Sequence, residues 1–410
     1  MELSQCKERI DAWFSDKEPE MLSMLERIVN MDSFTNDAAD VNKVGEVVTG
    51  WLAEAGFHTA KLPKKPAPAD EQWMNGLGNV FSARTHSVEC GPGVAFIGHM
   101  DTVFPAGTAG ARPFRLDRAA DRATGPGVTD MKAGIVQNMF VARALKELGL
   151  MDVPMTLTFS PDEELGSPST TPILGEQLNG AQAVICTEPG YPGGGVTLER
   201  KGSGHMFLEI MGISAHAGRC YQDGASAILE LAHKILAFDA YYVDLDHDTT
   251  VNTGLVNGGT SANSVAPNAS ARIHITFKTL EAGRRLAEAL RAETAKNHIP
   301  GTSSHISGGV RLPPLVPTPG VMKLFSLAEQ AGELIGYSVH SAPSKGTAES
   351  GYCSSVLGVP AICSMGPEGS NLHSADEYMI PSTFVPRCKL AALTAIQAAR
   401  AFAPAAKVSL

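Results

Sequence analysis

Between Pro19 and Gly56 apolar side chains return every three or four positions, at Met21, Leu22, Leu25, Ile28 and Val29 and again at Val44, Val47, Val48, Trp51 and Leu52. That spacing predicts two amphipathic helices opening the chain. After the polar, proline-rich KLPKKPAPADEQW the texture changes. Short apolar runs bounded by turn residues predict strands at NVFSA, GVAFIGH, VPMTLTFSPDEE and AQAVICTEPG, with a helix over MKAGIVQNMFVARALKELG. Strands alternating with helices predict an α/β sheet with helices on both faces.

From about Lys201 the pattern shifts to strict alternation. In SARIHITFK, Ala271, Ile273, Ile275 and Phe277 share one face while Arg272, His274, Thr276 and Lys278 share the other, and HMFLEIMG alternates in the same way. GASAILELAHKILAF, with Ile228, Leu231, Ala232 and Ile235 on one side, and Leu280 to Lys296 are helical. Past RLPPLVPTPG the α/β texture resumes with a helix near Val321 to Ile335, a strand at VPAICSMG and a last helix from about Arg387 to Phe402. The expected organisation is a mixed central sheet flanked by helices, built from residues 1–200 and 313–410. A small strand–helix–strand–helix domain, residues 201–312, is inserted between them.

Composition narrows the partners. A chain of 410 residues that is 43% hydrophobic has room for two cores, and 33 Lys+Arg against 43 Asp+Glu gives a net charge of −10 with no basic block. That balance argues against a nucleic-acid backbone or an anionic membrane and favours a small-molecule substrate. The cysteines are dispersed with no Cys-x-x-Cys pair, so neither a disulfide framework nor a thiolate zinc site is expected. The amphipathic start lacks an apolar leader core and no run is long enough to span a bilayer, so a reduced, cytoplasmic protein is expected.

Chemistry gathers where the predicted strands end. His99 and Asp101 follow GVAFIG; Asp130 sits in the glycine-rich TGPGVTDMKAG; Glu163 and Glu164 follow MTLTFS; Glu188 follows QAVICT; His373 lies in GSNLHSADEY. In a parallel sheet such ends open on one crevice. Each residue alone has an ordinary explanation: a satisfied polar histidine, a solvated acidic pair, a helix cap. Their coincidence at one edge makes an imidazole and carboxylate donor set suited to zinc, manganese or cobalt. There is no Gly-x-Ser-x-Gly elbow, no phosphate loop and no His-Glu-x-x-His helix.

Taken in order, GHMDTV, GPGVTDMKAG, SPDEELGS, TEPG, ISAHAG and NLHSADEY resemble the M20 metallopeptidase family, and the first half most resembles its carboxypeptidase G2-like branch. The resemblance implies a zinc-peptidase-like catalytic domain with an inserted two-layer α+β lid, through which a homodimer or higher homo-oligomer forms. It implies two divalent metal ions per subunit, zinc in the first place with manganese or cobalt as alternatives. Asp130 would bridge them, His99 and Glu188 completing one site and Glu164 and His373 the other. Asp101 would orient His99 from behind, and Glu163 would be the general base. In the insert, His216 matches a histidine that reaches the partner's active site in dimeric members, and Asn263 matches an asparagine that contacts substrate.

The chain also departs from the pattern. Where many members carry an arginine that grips a substrate carboxylate, this chain has Thr276; Arg219 and Tyr221, in AHAGRCYQDG, are candidates to bind a carboxylate and stack on a planar group instead. KGTAESGY replaces the usual Gly-Thr/Ser-Asp run and brings Ala348 and Glu349 with it, closer to acetylornithine-deacetylase-like relatives. The expected reaction is hydrolysis of an amide in a small carboxylate-bearing N-acyl amino acid or dipeptide. The alternatives are hydrolytic deamination of an aminobenzoate-like acid and, with every expected ligand and Glu163 present, a less favoured non-catalytic binding protein on the same fold.

Overall fold

The computed structural model describes residues 1–402, so residues 403–410 of the expected second catalytic segment lie outside the described residues. The chain divides into two compact units, Met1–Arg200 with Leu315–Leu410, and Lys201–Pro314.

In the first unit the strands Val94–His99, Met155–Ser160 and Ala183–Cys186 are buried along their whole length. A strand covered on both faces needs no polar alternation, which is why these segments read as continuous apolar runs. They lie in a six-stranded sheet ordered His58–Lys61, Phe81–Arg84, Met155–Ser160, Val94–His99, Ala183–Cys186 and Ala361–Ile362. The first two junctions are antiparallel and the last three parallel, so the sheet is mixed. Pairing of His99 with Ser160 and of Ile97 with Cys186 brings the carboxyl ends of neighbouring parallel strands to one edge.

The helices Ala133–Glu147 and Phe384–Ala401 are buried around most of their circumference, as expected for helices inside a large core rather than on its surface. The helices Glu18–Val29 and Ala38–Glu54 bury the predicted apolar stripes. A further helix, Leu3–Phe14, precedes them and is therefore the one that opens the chain; it anchors through Cys6, Ile10 and Phe14. Three core residues in an otherwise charged stretch leave too thin a stripe to stand out by periodicity.

The second unit carries a four-stranded antiparallel sheet ordered Thr250–Gly258, Asn268–Phe277, Gly202–Met211 and Ser303–Leu312. Its two central strands are the predicted ones, and Ala271, Ile273, Ile275 and Phe277 are buried while Arg272 is exposed. Met206, Leu208 and Ile210 join them in one core with Leu231 and Phe238 of helix Ala227–Tyr242 and with Leu286 and Leu290 of helix Leu280–Thr294. Both helices thus cover one face, giving two layers. The edge strands were not expected. TVNTGLVNG and SSHISGGVRL contain glycines and few inward-facing apolar residues, so their alternation is broken; pairing with a strong neighbour, rather than local pattern, makes them strands. Among the described residues no helix is long and apolar enough to cross a membrane.

Candidate metal centre

Asp130 is the hub of the site. The turn before helix Ala133–Glu147 offers its backbone to one buried carboxylate: Gly127, Thr129 and Asp130 donate their amides to Glu377 at 3.1, 2.9 and 3.0 Å. Gly127 has φ +69°, a left-handed conformation that glycine adopts without strain. Held this way, Asp130 is not the helix cap that its position allows. Its Oδ1 lies 3.2 Å from His99 Nε2 and its Oδ2 lies 3.3 Å from His373 Nε2.

Each imidazole meets a second carboxylate. Glu188 Oε1 is 3.6 Å from His99 Nε2, and Glu164 Oε2 is 3.1 Å from His373 Nε2. The donor atoms of His99, Asp130 and Glu188 all lie within 4.8 Å of one another, and so do those of Asp130, Glu164 and His373. The five expected ligands therefore form two sets that share Asp130. Glu188 comes close because helix Ala133–Glu147 presses against its strand end: a Cβ at Gly134 would overlap the carbonyl oxygen of Thr187. His373 reaches in from a loop with φ +61° and is half exposed, the most open member of the group.

Asp101 works on two sides at once. The Nδ1 of His99 is 3.0 Å from the Asp101 backbone carbonyl and 3.4 Å from its carboxylate. The same carboxylate accepts the amides of Glu163 and Glu164, each at 3.2 Å, and the Thr35 hydroxyl at 2.7 Å. Asp101 thus orients His99 chiefly through its main chain and spends its charge on the turn that carries both glutamates. Thr35 and Glu377 escaped sequence reasoning: a threonine near a helix start carries no signal, and Glu377, although inside the NLHSADEY motif, looks like a solvated acid until the fold buries it.

The electrostatics are those of acids crowded together. Burial, with the Asp130 charge adding to it, pushes the Glu188 carboxyl up to about 8. Burial also pushes Glu163 well above the usual carboxylate range, with Glu188 and Glu164 reinforcing the effect. Burial would lower His99, but hydrogen bonds to Asp101 and Asp130 hold it well above the ordinary imidazole value. His373 is pushed up to about 11 by its hydrogen bonds to Asp130 and Glu164. Burial opposes ionisation of Asp130 as well, yet the two imidazoles keep its carboxyl below the usual range. A divalent cation placed among these groups would favour their deprotonated forms. The donors are imidazole nitrogens and carboxylate oxygens without a thiolate, a set that fits zinc, manganese or cobalt and not a soft metal.

The remaining candidates belong to the second unit. A bridge pairs His216 with Ser264, and the Ala217 amide donates to the Asn263 carbonyl at 3.0 Å, so His216 and Asn263 sit on adjoining loops. His216 Nδ1 accepts from the Gly218 amide at 3.1 Å, and Asn263 Oδ1 accepts from the Ser261 hydroxyl at 2.7 Å. Arg219 and Tyr221 are exposed on the same loop system. Thr276 shares a 2.7 Å hydroxyl contact with Thr250 across the sheet.

Comparison with known proteins gives this geometry a family. Residues 95–397 match the model of peptidase family M20/M25/M40. The chain is 24% identical over 379 residues to carboxypeptidase G2 of Pseudomonas sp. (strain RS-16), covering 91% of this chain and 88% of that one. It is 24% identical over 346 residues to succinyl-diaminopimelate desuccinylase of Gluconobacter oxydans (strain 621H), covering 81% and 86%. In fold it is similar to the dipeptidase Dug1p from Saccharomyces cerevisiae, with a TM-score of 0.73 at 16% identity over 97% of this chain and 99% of that one. With its acidic, histidine-flanked cluster at the end of a mixed α/β sheet, the chain belongs to peptidase family M20/M25/M40, a family of metal-dependent hydrolases acting on C–N bonds.

Proposed function

We propose that this protein hydrolyses the amide bond of a small carboxylate-bearing compound, an N-acyl amino acid or a dipeptide, with two metal ions and with Glu163 as general base. One observation carries this reading: Asp130 turns its two oxygens to two different imidazoles, each backed by its own glutamate, while Glu163 stands beside them and belongs to neither set.

His99, Asp130 and Glu188 would hold one divalent ion, and Asp130, Glu164 and His373 the other. When bound, zinc, or manganese or cobalt in its place, supplies Lewis acidity and makes hydroxide available near neutrality. The chain's residues do the rest. Asp101 fixes the His99 ring so that Nε2, not Nδ1, faces the site. Glu163 takes the proton of the attacking water and passes it to the departing nitrogen, a job suited to a carboxylate that belongs to neither donor set. Neighbouring glutamates thereby divide the work: Glu164 gives its lone pairs to a cation and Glu163 keeps its own for the proton.

His216 and Asn263 would contact the substrate, His216 from a partner subunit, and Arg219 and Tyr221 would take over the carboxylate grip that Thr276 cannot supply. A homodimer formed through the second unit suits its exposed apolar residues, Leu255 and Val256 on the edge strand and Leu236 and Tyr241 on the helix. A cytoplasmic location fits the free cysteines.

The deciding experiment is Glu163→Gln assayed on a panel of N-acyl amino acids and aminobenzoates, with metal content measured in parallel. Turnover should fall by about 10²- to 10⁴-fold while metal is retained. Normal turnover in the variant removes Glu163 as base, and ammonia release from aminobenzoates with inert amides moves the reading to an aminohydrolase.

A further inference from the structure

Glu349 is 3% exposed and stands at the start of the short helix Ser350–Ser355, within KGTAESGY. Its Oε2 accepts the Ser160 hydroxyl at 2.7 Å and its Oε1 accepts the Ser167 hydroxyl at 2.8 Å. Those serines flank the turn that carries Glu163 and Glu164. Ser160 ends its sheet strand, Ser167 closes the turn with φ +52°, and both are fully buried. One carboxylate, contributed from far along the sequence, therefore spans the two ends of the turn.

Other contacts fix the inside of the same turn. The Asp162 carbonyl accepts the amides of Leu165 and Ser167 at 3.2 and 2.9 Å, and its carboxylate accepts the Ser169 amide and hydroxyl, each at 2.7 Å, and the Thr170 hydroxyl. Asp101 holds the amides of Glu163 and Glu164 from the His99 side. These contacts close the turn from Asp162 onward; Glu349 adds the tie between Ser160, at the end of the strand, and Ser167, on either side of both glutamates.

We propose that Glu349 is a positioning residue, which aims Glu163 and Glu164 by bridging Ser160 and Ser167. This rests on the reading of Glu163 as base and Glu164 as metal ligand. Glu349 acts through the serines and not on the substrate, so its loss should lower kcat and leave KM nearly unchanged. A misplacement on the order of 1 Å at a reacting group costs roughly 10²-fold in rate.

The test compares Glu349→Ala and Glu349→Gln with the parent protein. For Glu349→Ala, amide hydrogen exchange over residues 163–167 should speed up by about tenfold or more, and kcat on the amide turned over in the panel should fall by about 10²-fold with KM within about threefold. Glu349→Gln keeps the length and one acceptor oxygen, and should stay within about tenfold of the parent in kcat. Unchanged exchange in a folded Glu349→Ala overturns the proposal, and so does a Glu349→Ala whose KM rises while kcat holds, since the residue would then act on substrate binding and not through the turn. If Glu349→Ala does not fold, Ser160→Ala/Ser167→Ala must reproduce the faster exchange, and parent-like exchange there overturns the proposal. The exchange measurement needs no substrate, so it stands or falls separately from the role of Glu163, which Glu163→Gln decides.

Discussion

The end of the six-stranded sheet and the loops of the inserted unit hold their polar residues in opposite ways. At the sheet end, His99, Asp101, Asp130 and Glu188 are buried, and three of them are tied by a neighbour that is itself buried: Asp101 behind His99, Glu377 beneath Asp130, Thr35 on Asp101. On the inserted loops, His216, Arg219, Tyr221 and Asn263 are exposed, and among the described residues the side chains of His216 and Asn263 bond only within their own turn. A reaction centre gains from groups that cannot move, because reorganisation at the moment of reaction costs rate. A surface that recognises a substrate can form its contacts when the substrate arrives. On the proposed reading, chemistry and specificity would be lodged in two different physical environments of one chain.

The sharpest way to break this comparison is to remove the member shared by both donor sets. Asp130→Ala should lose metal from both positions and with it all measurable turnover, as should dialysis of the parent against a chelator, with zinc, manganese or cobalt restoring only the parent. Retention of a full complement of metal by Asp130→Ala in elemental analysis would show that the sets do not depend on a common carboxylate. Exposed residues predict a milder and differently shaped loss. Arg219→Ala and Tyr221→Ala should each raise KM by about tenfold and leave kcat within about threefold, the signature of lost uniform binding. A fall in kcat with unchanged KM would instead move these residues toward the chemistry.

The smallest effect concerns stability in the inserted unit. On its sheet, burial pushes the His205 imidazole down to about 4, with His274, Arg311 and Arg272 adding to the effect. Its folded value lies below the unfolded value of about 6.5, so between these limits the unfolded chain binds more protons and stability rises with pH. The penalty is absent above about pH 6.5 and grows as pH falls toward 4. Replacing the group by Gln should reduce the loss of stability between pH 7 and 4.5 by about 1–2 kcal/mol, after allowance for partial exposure, as read from urea midpoints. An identical pH dependence in His205→Gln would mean that this histidine takes up its proton as readily in the folded protein as in the unfolded chain.

Fold and site were legible in the sequence to different depths. Strands buried on both faces announce themselves as apolar runs, and a helix with a broad apolar stripe announces itself by period, so the central sheet strands and the helices Glu18–Val29, Ala38–Glu54, Ala133–Glu147 and Pro319–Ile335 were readable. Leu3–Phe14, the exposed edge strand His58–Lys61 of the central sheet and the two edge strands of the inserted sheet were not, because what fixes them is a partner supplied by folding and not their own pattern. At the site, His99, Asp130, Glu164, Glu188 and His373 could be picked out by their places after predicted strands and within ordered short motifs.

What the sequence determined by itself is therefore the inventory: which donors exist, at which strand ends, and that glycine and no bulkier residue occupies position 127 of the turn and position 134, where helix meets strand. The resemblance implied how the donors pair, and the tertiary structure supplies the contacts that make them pair so. Asp130 meets two imidazoles because Glu377 gathers three amides of its turn, and the Glu163–Glu164 turn keeps its shape because Asp101 and Glu349 reach it from other parts of the chain. The reason is physical. Local sequence sets backbone preference and periodicity, whereas a buried carboxylate is defined by the donors that folding brings within hydrogen-bonding distance, and those donors come from distant segments.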